Sequence, residues 1–492
     1  MAYIIGIDQS TQGTKALLFD AGGKIVLRVD KPHRQLVNAQ GWVEHDPREI
    51  YQNTLKLLQE LLMRSGSKSQ DIAALGISNQ RETSVAWNRK TGEPVYNAIV
   101  WQCARGAAIC ERLEKQGLAP LIREHTGLQL SPYFSAAKLA WIIENVPGAQ
   151  ELMDQGNLCL GTVDSYLVFK LTGGRVFKTD ASNASRTQLL NIRKVAWDEE
   201  ICRAFGIKVS ALPEVCASDA LFGLTTAEGL FTTPIPIHAV FGDSHAALYG
   251  QGCHEAGMIK ATYGTGSSVM MNIGPEPVWS KGGLVTSLAW QLGKQVSYVL
   301  EGNINYTGAG ITWLKDDLQL IRSAAETEQL AREAHVEDHS YFVPAFTGLG
   351  APYWDSRARG LFCNISRTTG KKEMVRAVLE AIAYQIRDIT DLMQQESGRT
   401  LKSLRVDGGP TRNKYLMQFQ TNIIDIPVEV AGVEELSAMG AAYGAGLAVG
   451  LYEPGIFAGL ERTRYEARLH PDKRQKLYQG WQEAVARARL QV

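Results

Sequence analysis

Apolar residues run Tyr3-Ile4-Ile5-Gly6-Ile7, give way to the polar stretch Asp8-Gln9-Ser10-Thr11-Gln12-Gly13-Thr14-Lys15, and resume at Ala16-Leu17-Leu18-Phe19. The same arrangement recurs past the middle of the chain. There Met258-Ile259 and Val269-Met270-Met271 flank Tyr263-Gly264-Thr265-Gly266-Ser267-Ser268. Short apolar runs on either side of a Gly/Ser/Thr turn predict two β-hairpins. Between them, Leu55, Leu58 and Leu62 at helical spacing predict a helix from Arg48 to Leu62, followed by a strand over Ile72-Ala73-Ala74-Leu75-Gly76-Ile77. Strand and helix alternating after a hairpin predict an α/β domain with a mixed sheet.

Pro234-Ile235-Pro236 leads into another strand over Val240-Phe241-Gly242 and a turn at Asp243, which places the boundary between two halves near residue 250. The second half repeats the logic. After its hairpin come an irregular segment, Phe346 to Asp355, and a long helix from about Lys372 to Gln395 whose core face is Val375, Val378, Leu379, Ile382, Ile386 and Ile389. The strand Leu404-Arg405-Val406, the turn Asp407-Gly408-Gly409-Pro410 and a close-packing small-residue segment, Ala438 to Gly450, follow. Leu477, Trp481, Val485 and Ala488 give the last helix one apolar face. The division read from this pattern is 1–250, 251–455 and a helical segment 456–492.

Composition narrows the field. With 51 Lys plus Arg against 51 Asp plus Glu in 492 residues, no net field points to nucleic acid or an anionic membrane. Seven cysteines without a C-x-x-C spacing read as buried reduced thiols, not as a zinc ribbon or a disulfide framework. No leader pattern and no run of about eighteen apolar residues is present, which points to a cytoplasmic, non-membrane protein.

The turns carry candidate chemistry. A polyphosphate needs converging donors, and Gly, Ser and Thr turns supply backbone N–H groups and hydroxyls without bulk. Lys15 adds a positive charge, and Asp8 offers oxygen to a magnesium ion through waters.

Longer motifs are diagnostic. Tyr133-Phe134-Ser135-Ala136-Ala137-Lys138-Leu139-Ala140-Trp141-Ile142-Ile143-Glu144-Asn145 fits the first signature of the FGGY carbohydrate kinases. Gly41-Trp42-Val43-Glu44-His45-Asp46-Pro47, Asn79-Gln80-Arg81-Glu82-Thr83, Tyr96 to Cys103 and Pro344 to Asp355 resemble the glycerol-kinase branch of that family, and the similarity runs from residue 3 to about 455. The resemblance implies an α/β fold of two ribonuclease H-like domains, of the actin, hexokinase and Hsp70 type, around a central cleft. It implies ATP and Mg2+ as cofactors, a small polyol or sugar as acceptor, and a homo-oligomer, dimer or tetramer.

By the same resemblance Thr11, Gln12, Gly13 and Lys15 meet the β- and γ-phosphates. Thr265, Gly266, Gly308 and Thr312 line the ATP site, and Gly409 and Asn413 hold the adenosine. Arg81, Glu82, Trp101, Tyr133, Asp243 and Ser244 form the acceptor pocket. Asp243 is the expected base and, with Asp8, the anchor for Mg–ATP. An adjacent Arg and Glu suit a polyol because one only donates and the other only accepts.

Several positions depart from the family pattern. Gln12 and Gly13 replace Thr and Ser, Thr312 replaces Gln, Ser244 replaces an amide, and Ser268 stands at the usual Phe. The last two predict a roomier, more polar pocket and an acceptor of four or five carbons, polyol or ketose, with glycerol secondary. His245 is expected to pack or to hydrogen-bond, with the catalytic role left to Asp243. The competing readings are an actin- or Hsp70-like ATPase switch and a sugar-sensing pseudokinase.

Overall fold

The computed structural model describes residues 2–489; Met1 and residues 490–492 of the segments defined above lie outside it. Its two main sheets repeat one pattern of pairing. In the N-terminal sheet the order is Ile25–Pro32, Gly13–Phe19, Tyr3–Gln9, Ile72–Asn79, Ile235–Gly242, Leu221–Thr225. In the C-terminal sheet Gln295–Ile304, Ser267–Gly274, Ile259–Tyr263, Leu404–Asp407, Val428–Ala431 and Arg462–Tyr465 follow the same sequence of two antiparallel, two parallel and one antiparallel pairings. Val285–Leu292 extends that sheet at its outer edge. The two hairpins expected from the sequence are therefore equivalent parts of two mixed sheets. Even the polar cross-strand pair recurs with its roles exchanged: Asp8 lies opposite Ser78, and Thr262 opposite Asp407.

The helices form where periodicity places them, with longer ends. Pro47–Ser65 begins at an Asp46 cap whose carboxylate accepts from Arg48 N. Its buried face is Ile50, Tyr51, Thr54, Leu57, Leu58 and Leu61, rotated from the expected one, and Leu55 and Leu62 lie half-buried at its margin. Lys371–Ser397 buries all six of its expected core positions. Asp243 does not sit in a turn. Gly242 is extended and caps a helix, Asp243–Gly250, so the carboxylate heads a helix N-terminus. All seven cysteines are free, five buried and two half-buried.

Three elements cross the boundaries drawn at 250 and 455. Arg462–Tyr465 is a strand of the C-terminal sheet, and Trp481 of the last helix, Pro471–Arg489, stacks on Tyr384 with ring centroids 5.3 Å apart. The small-residue helix Leu436–Ala448 packs instead under the N-terminal sheet, where Ala438, Ala442 and Ala445 join Ile4, Phe19, Ala74 and Phe241 in one core. Glycine makes that approach possible. A Cβ on Gly76 would lie 2.2 Å from Ala441 O, and one on Gly440 1.9 Å from Ala246 O. Both obstacles are backbone and cannot rotate away.

Gly76→Ala should therefore cost about 1–3 kcal/mol by overpacking, read as a lower melting temperature. Gly455→Ala, whose Cβ would meet nothing within 4 Å, should stay within about 0.5 kcal/mol of the parent. Equal melting temperatures for the two variants would contradict this packing.

Candidate active site

The first hairpin closes through Ser10, whose N and Oγ both donate to Gly13 O, at 2.8 and 3.0 Å. Thr11 sits at its tip and accepts from Trp101 Nε1 at 2.9 Å, which ties the Trp101 indole to the first hairpin. Gln12 is exposed, Gly13 half-buried. A Cβ on Gly13 would come within 2.6 Å of Lys31 O, so glycine at this departure from the family pattern is a packing requirement. Lys15 does not stand free. Its Nζ lies 2.8 Å from Glu435 Oε2, and Glu435 also takes Arg28. Asp8, buried beside it, accepts from Ser78 Oγ at 3.0 Å. Burial pushes the Asp8 carboxyl up to about 6, with Lys15 opposing and Asp243 adding to the shift.

Arg81 and Glu82, adjacent in sequence, belong to a larger buried cluster. Arg81 Nη1 and Nη2 donate to Glu301 Oε2 and Oε1 at 3.0 and 2.8 Å, and its Nε lies 3.3 Å from Asp243 Oδ1. Glu82 is 3.9 Å away and accepts instead from Arg186 Nε at 2.6 Å. Arg186 Nη1 lies 2.9 Å from Glu301 Oε2. Burial opposes the Arg81 charge, but Glu301, Glu82 and Asp243 hold its proton well above the usual range. Burial likewise pushes Glu301 up, and Arg186 and Arg81 outweigh it, holding this carboxyl well below its ordinary value. Glu82 has φ 60°, a left-handed conformation that costs a non-glycine residue roughly 1–2 kcal/mol. Its carbonyl is held there by Ser135 Oγ at 3.1 Å.

The signature helix Ser135–Asn145 explains its lysine. Lys138, fully buried, donates to the carbonyls of Pro132 at 2.7 Å, Phe134 at 3.0 Å and Tyr133. Burial lowers it to about 7, partly offset by Glu82. The lysine thus fixes the backbone from which Tyr133 projects, and the Tyr133 ring meets Trp101 edge-on at 5.5 Å. Burial, then Glu82, push the Tyr133 hydroxyl well above its ordinary value.

Asp243 is 34 % exposed, which leaves its carboxylate reachable from the cleft, and Ser244 N donates to its Oδ1 at 2.6 Å. Ser244 is half-buried beside it. His245 turns the other way. It is fully buried, its Nε2 lies 3.4 Å from Ser287 Oγ, and burial together with Arg81 hold its pKa well below the ordinary value, so it packs as a neutral ring.

The second hairpin is zipped to a helix start. Thr307 N and Ala309 N donate to Thr265 O, both at 3.0 Å, and Gly308 N donates to Gly264 O at 2.9 Å. Gly266 and Gly308 are glycines of close approach, with Ile304 O and Gly264 O 2.3 and 2.7 Å from where a Cβ would be. Thr312 is exposed on the second turn of the helix Gly308–Asp316. Gly409 opens a 3-10 turn, and Asn413 caps the helix Lys414–Ile424, its Oδ1 accepting from Leu416 N while its amide donates to Thr327 Oγ1. Gly408, φ 100°, lies against Tyr263 and joins this turn to the hairpin strand. The two groups of residues meet through neighbours: Ser267 Oγ is 2.7 Å from Thr307 Oγ1, and Ser268 Oγ donates to Glu301 Oε1 at 3.0 Å.

Sequence reasoning missed a supporting segment, residues 180–186. Asp180 caps the short helix Ala181–Ala184, Ser182 Oγ accepts from Gly242 N at 3.0 Å, and Asn183 exchanges amide bonds with Asn79. Ser185 Oγ accepts from Leu288 N of the C-terminal sheet, and Arg186 completes the charge cluster. The available signal was an Asp and an Arg bracketing small polar residues, which also describes an ordinary turn.

The chain matches the models of the FGGY family of carbohydrate kinases, the N-terminal domain over residues 3–250 and the C-terminal domain over 259–449. It is 47 % identical over 492 residues to glycerol kinase 2 of Thermotoga maritima, covering 99 % of each chain. Against a glycerol kinase of Alkaliphilus oremlandii it is 48 % identical over 489 residues, 99 % of this chain and 97 % of the relative. Among solved structures it resembles Plasmodium falciparum glycerol kinase with ADP, with TM-score 0.95, 35 % identity and coverage of 100 % and 99 %. Ligand-bound xylulose kinase of Lactobacillus acidophilus shares the fold, with TM-score 0.88 at 24 % identity and coverage of 98 % and 97 %. The two-domain actin- and hexokinase-like architecture expected from the resemblance is thereby established. The chain belongs to the FGGY family of carbohydrate kinases and is an ATP-dependent, glycerol-kinase-type phosphotransferase with an alcohol group as acceptor.

Proposed function

We propose that this kinase transfers the γ-phosphate of ATP to a terminal hydroxyl of a small polyol or ketose, with four- and five-carbon acceptors preferred to glycerol. Asp243 carries the reading: a reachable carboxylate at a helix start, oriented by Arg81 Nε and by Ser244 N. As the acceptor oxygen forms its bond to the γ-phosphorus and the bond to the ADP oxygen breaks, Asp243 takes the hydroxyl proton. Arg81 and Glu82 supply donor and acceptor to the remaining hydroxyls, while the Trp101–Tyr133 ring pair covers the carbon face. The turns at Thr11–Gly13 and Thr265–Gly266 offer backbone donors to the phosphates, Gly308 and Thr312 border them, and Gly409 and Asn413 flank the adenosine. Neither the nucleotide switch nor the pseudokinase is favoured, since Asp8, Lys15 and Asp243 stand together with a built acceptor pocket.

The preference for longer acceptors rests on two serines. Ser268 Oγ is bonded to Glu301, which puts a polar group where an aromatic wall would stand. Ser244 is shorter than the amide it replaces, which would leave room beside Asp243.

Magnesium fits the residues present. Asp8 and Asp243 repel each other, and burial further penalises the Asp8 charge. No group of three or more His, Cys, Asp or Glu side chains among the described residues is arranged to hold a metal by itself. A cation arriving with the nucleotide, held by the two carboxylates through waters, would screen the phosphate charge.

Measured as kcat/KM in acceptor-dependent ADP release, erythritol, ribitol and xylulose should exceed glycerol; a clear glycerol preference would refute the assignment. Asp243→Asn should lower kcat by about 10²–10⁴-fold with the KM for ATP little changed; unaltered turnover would end the proposal for this carboxylate. Asp8→Asn should lose activity but gain stability. The penalty on ionised Asp8 develops as pH rises from the ordinary value of 3.8 towards about 6 and is complete above it. The Asn variant should therefore be more stable than the parent by about 1–3 kcal/mol at pH 7.5, and the gain should fade towards pH 4. A pH-independent difference in melting temperature would speak against a strained Asp8.

A further inference from the structure

We propose that Glu301 is a positioning residue through which the nucleotide-side domain aims Arg81 at the acceptor and at Asp243, so that the acceptor site is complete only when the two halves are docked. The inference rests on the site assignment above and extends it across the cleft.

Glu301 belongs to the strand Gln295–Ile304 of the C-terminal sheet, whereas Arg81, Arg186 and Asp243 all belong to the N-terminal half. Its carboxylate is fully buried. Oε1 accepts from Arg81 Nη2 and Ser268 Oγ, and Oε2 accepts from Arg81 Nη1 with Arg186 Nη1 at 2.9 Å. Arg81 faces three carboxylates, those of Glu82, Asp243 and Glu301. A planar guanidinium has its five N–H directions fixed relative to one another. Once two of them are committed side by side to Glu301, the plane is set, and the Nε–H direction towards Asp243 Oδ1 follows. One proton on each Nη nitrogen remains for the acceptor.

The same carboxylate is one residue from the nucleotide loop. Ser268, which donates to Glu301, follows Ser267, whose hydroxyl meets Thr307 at the head of the helix Gly308–Asp316. A displacement of the second hairpin would pull on Glu301, and through it on Arg81. Glu301 therefore connects occupancy of the ATP side with the geometry of the acceptor side without touching either substrate.

The test uses Glu301→Asp and Glu301→Gln in the full-length chain, each alone and combined with Arg81→Lys, with Arg81→Lys as the reference. Acceptor-dependent ADP release is measured with erythritol, ribitol and glycerol, with melting temperature recorded for every variant. A retracted or neutral side chain misplaces Arg81, so acceptor kcat/KM should fall about 100-fold, with the KM for ATP within about twofold of the parent. Because the effect passes through Arg81, the Glu301 change should add less than about threefold further loss in the Arg81→Lys background. A merely structural Glu301 would raise both KM values together and multiply the losses, and that result overturns the proposal, as does unchanged acceptor kcat/KM. Glu301→Asp retains the buried negative charge and decides the matter if the Gln variant does not fold. If the parent itself shows no acceptor-dependent ADP, the functional reading fails first, a result distinct from failure of the Glu301 variants.

Discussion

Two arginines and two glutamates, Arg81, Arg186, Glu82 and Glu301, lie together out of water where the two halves of the molecule meet. Taking four charges out of water is expensive, and the interactions among them offset that cost only when the geometry is good. Removing any one member would leave an uncompensated buried charge, a loss of about 3–5 kcal/mol. The halves therefore have one well-defined way to dock at this point. Because Arg81 also reaches Asp243, the constraint that fixes the docking also fixes the candidate base.

Around this cluster the chain builds support from polar side chains that are themselves fully buried. The Asp180–Arg186 segment holds the Gly242 N–H, the Asn79 amide and the Glu82 carboxylate through Ser182, Asn183 and Arg186 in turn. Lys138 gathers the carbonyls ahead of its helix, and Ser135 holds Glu82 in a backbone conformation it would not choose alone. Below the sheet, the glycine contacts of Leu436–Ala448 bring a helix from the C-terminal half against the strands that carry Asp8 and Asn79. Glu435, immediately before that helix, takes Lys15 and Arg28. Strain at Glu82 and the desolvated charge on Asp8 are stability given up beside Arg81 and Asp243.

The hairpins, the long helix Lys371–Ser397 and the strand Ile72–Asn79 were legible because each is specified by its own local periodicity. So was Asp243 as an acid following an apolar strand, although its helix was not, since Asp-Ser-His after Gly242 reads as a turn until the helix is seen docked on Leu436–Ala448. Pairings across long separations were not legible. Arg81 finds Glu301 220 residues away, and Lys15 finds Glu435 420 residues away. A lone Glu after the apolar run Tyr298-Val299-Leu300 was the one local sign of Glu301, and a glutamate in a strand ordinarily marks a solvent face. The resemblance implied roles for Lys15 and Arg81, but not that both are already engaged by carboxylates.

The most direct measurement is a crystal structure with a four- or five-carbon polyol and a non-hydrolysable ATP analogue bound together. An Asp243 carboxylate oxygen should lie roughly 2.6–3.2 Å from the acceptor's terminal oxygen, with that oxygen facing the γ-phosphorus in line and Arg81 still bidentate on Glu301. An acceptor hydroxyl bound away from Asp243, with the γ-phosphate directed elsewhere, would contradict it.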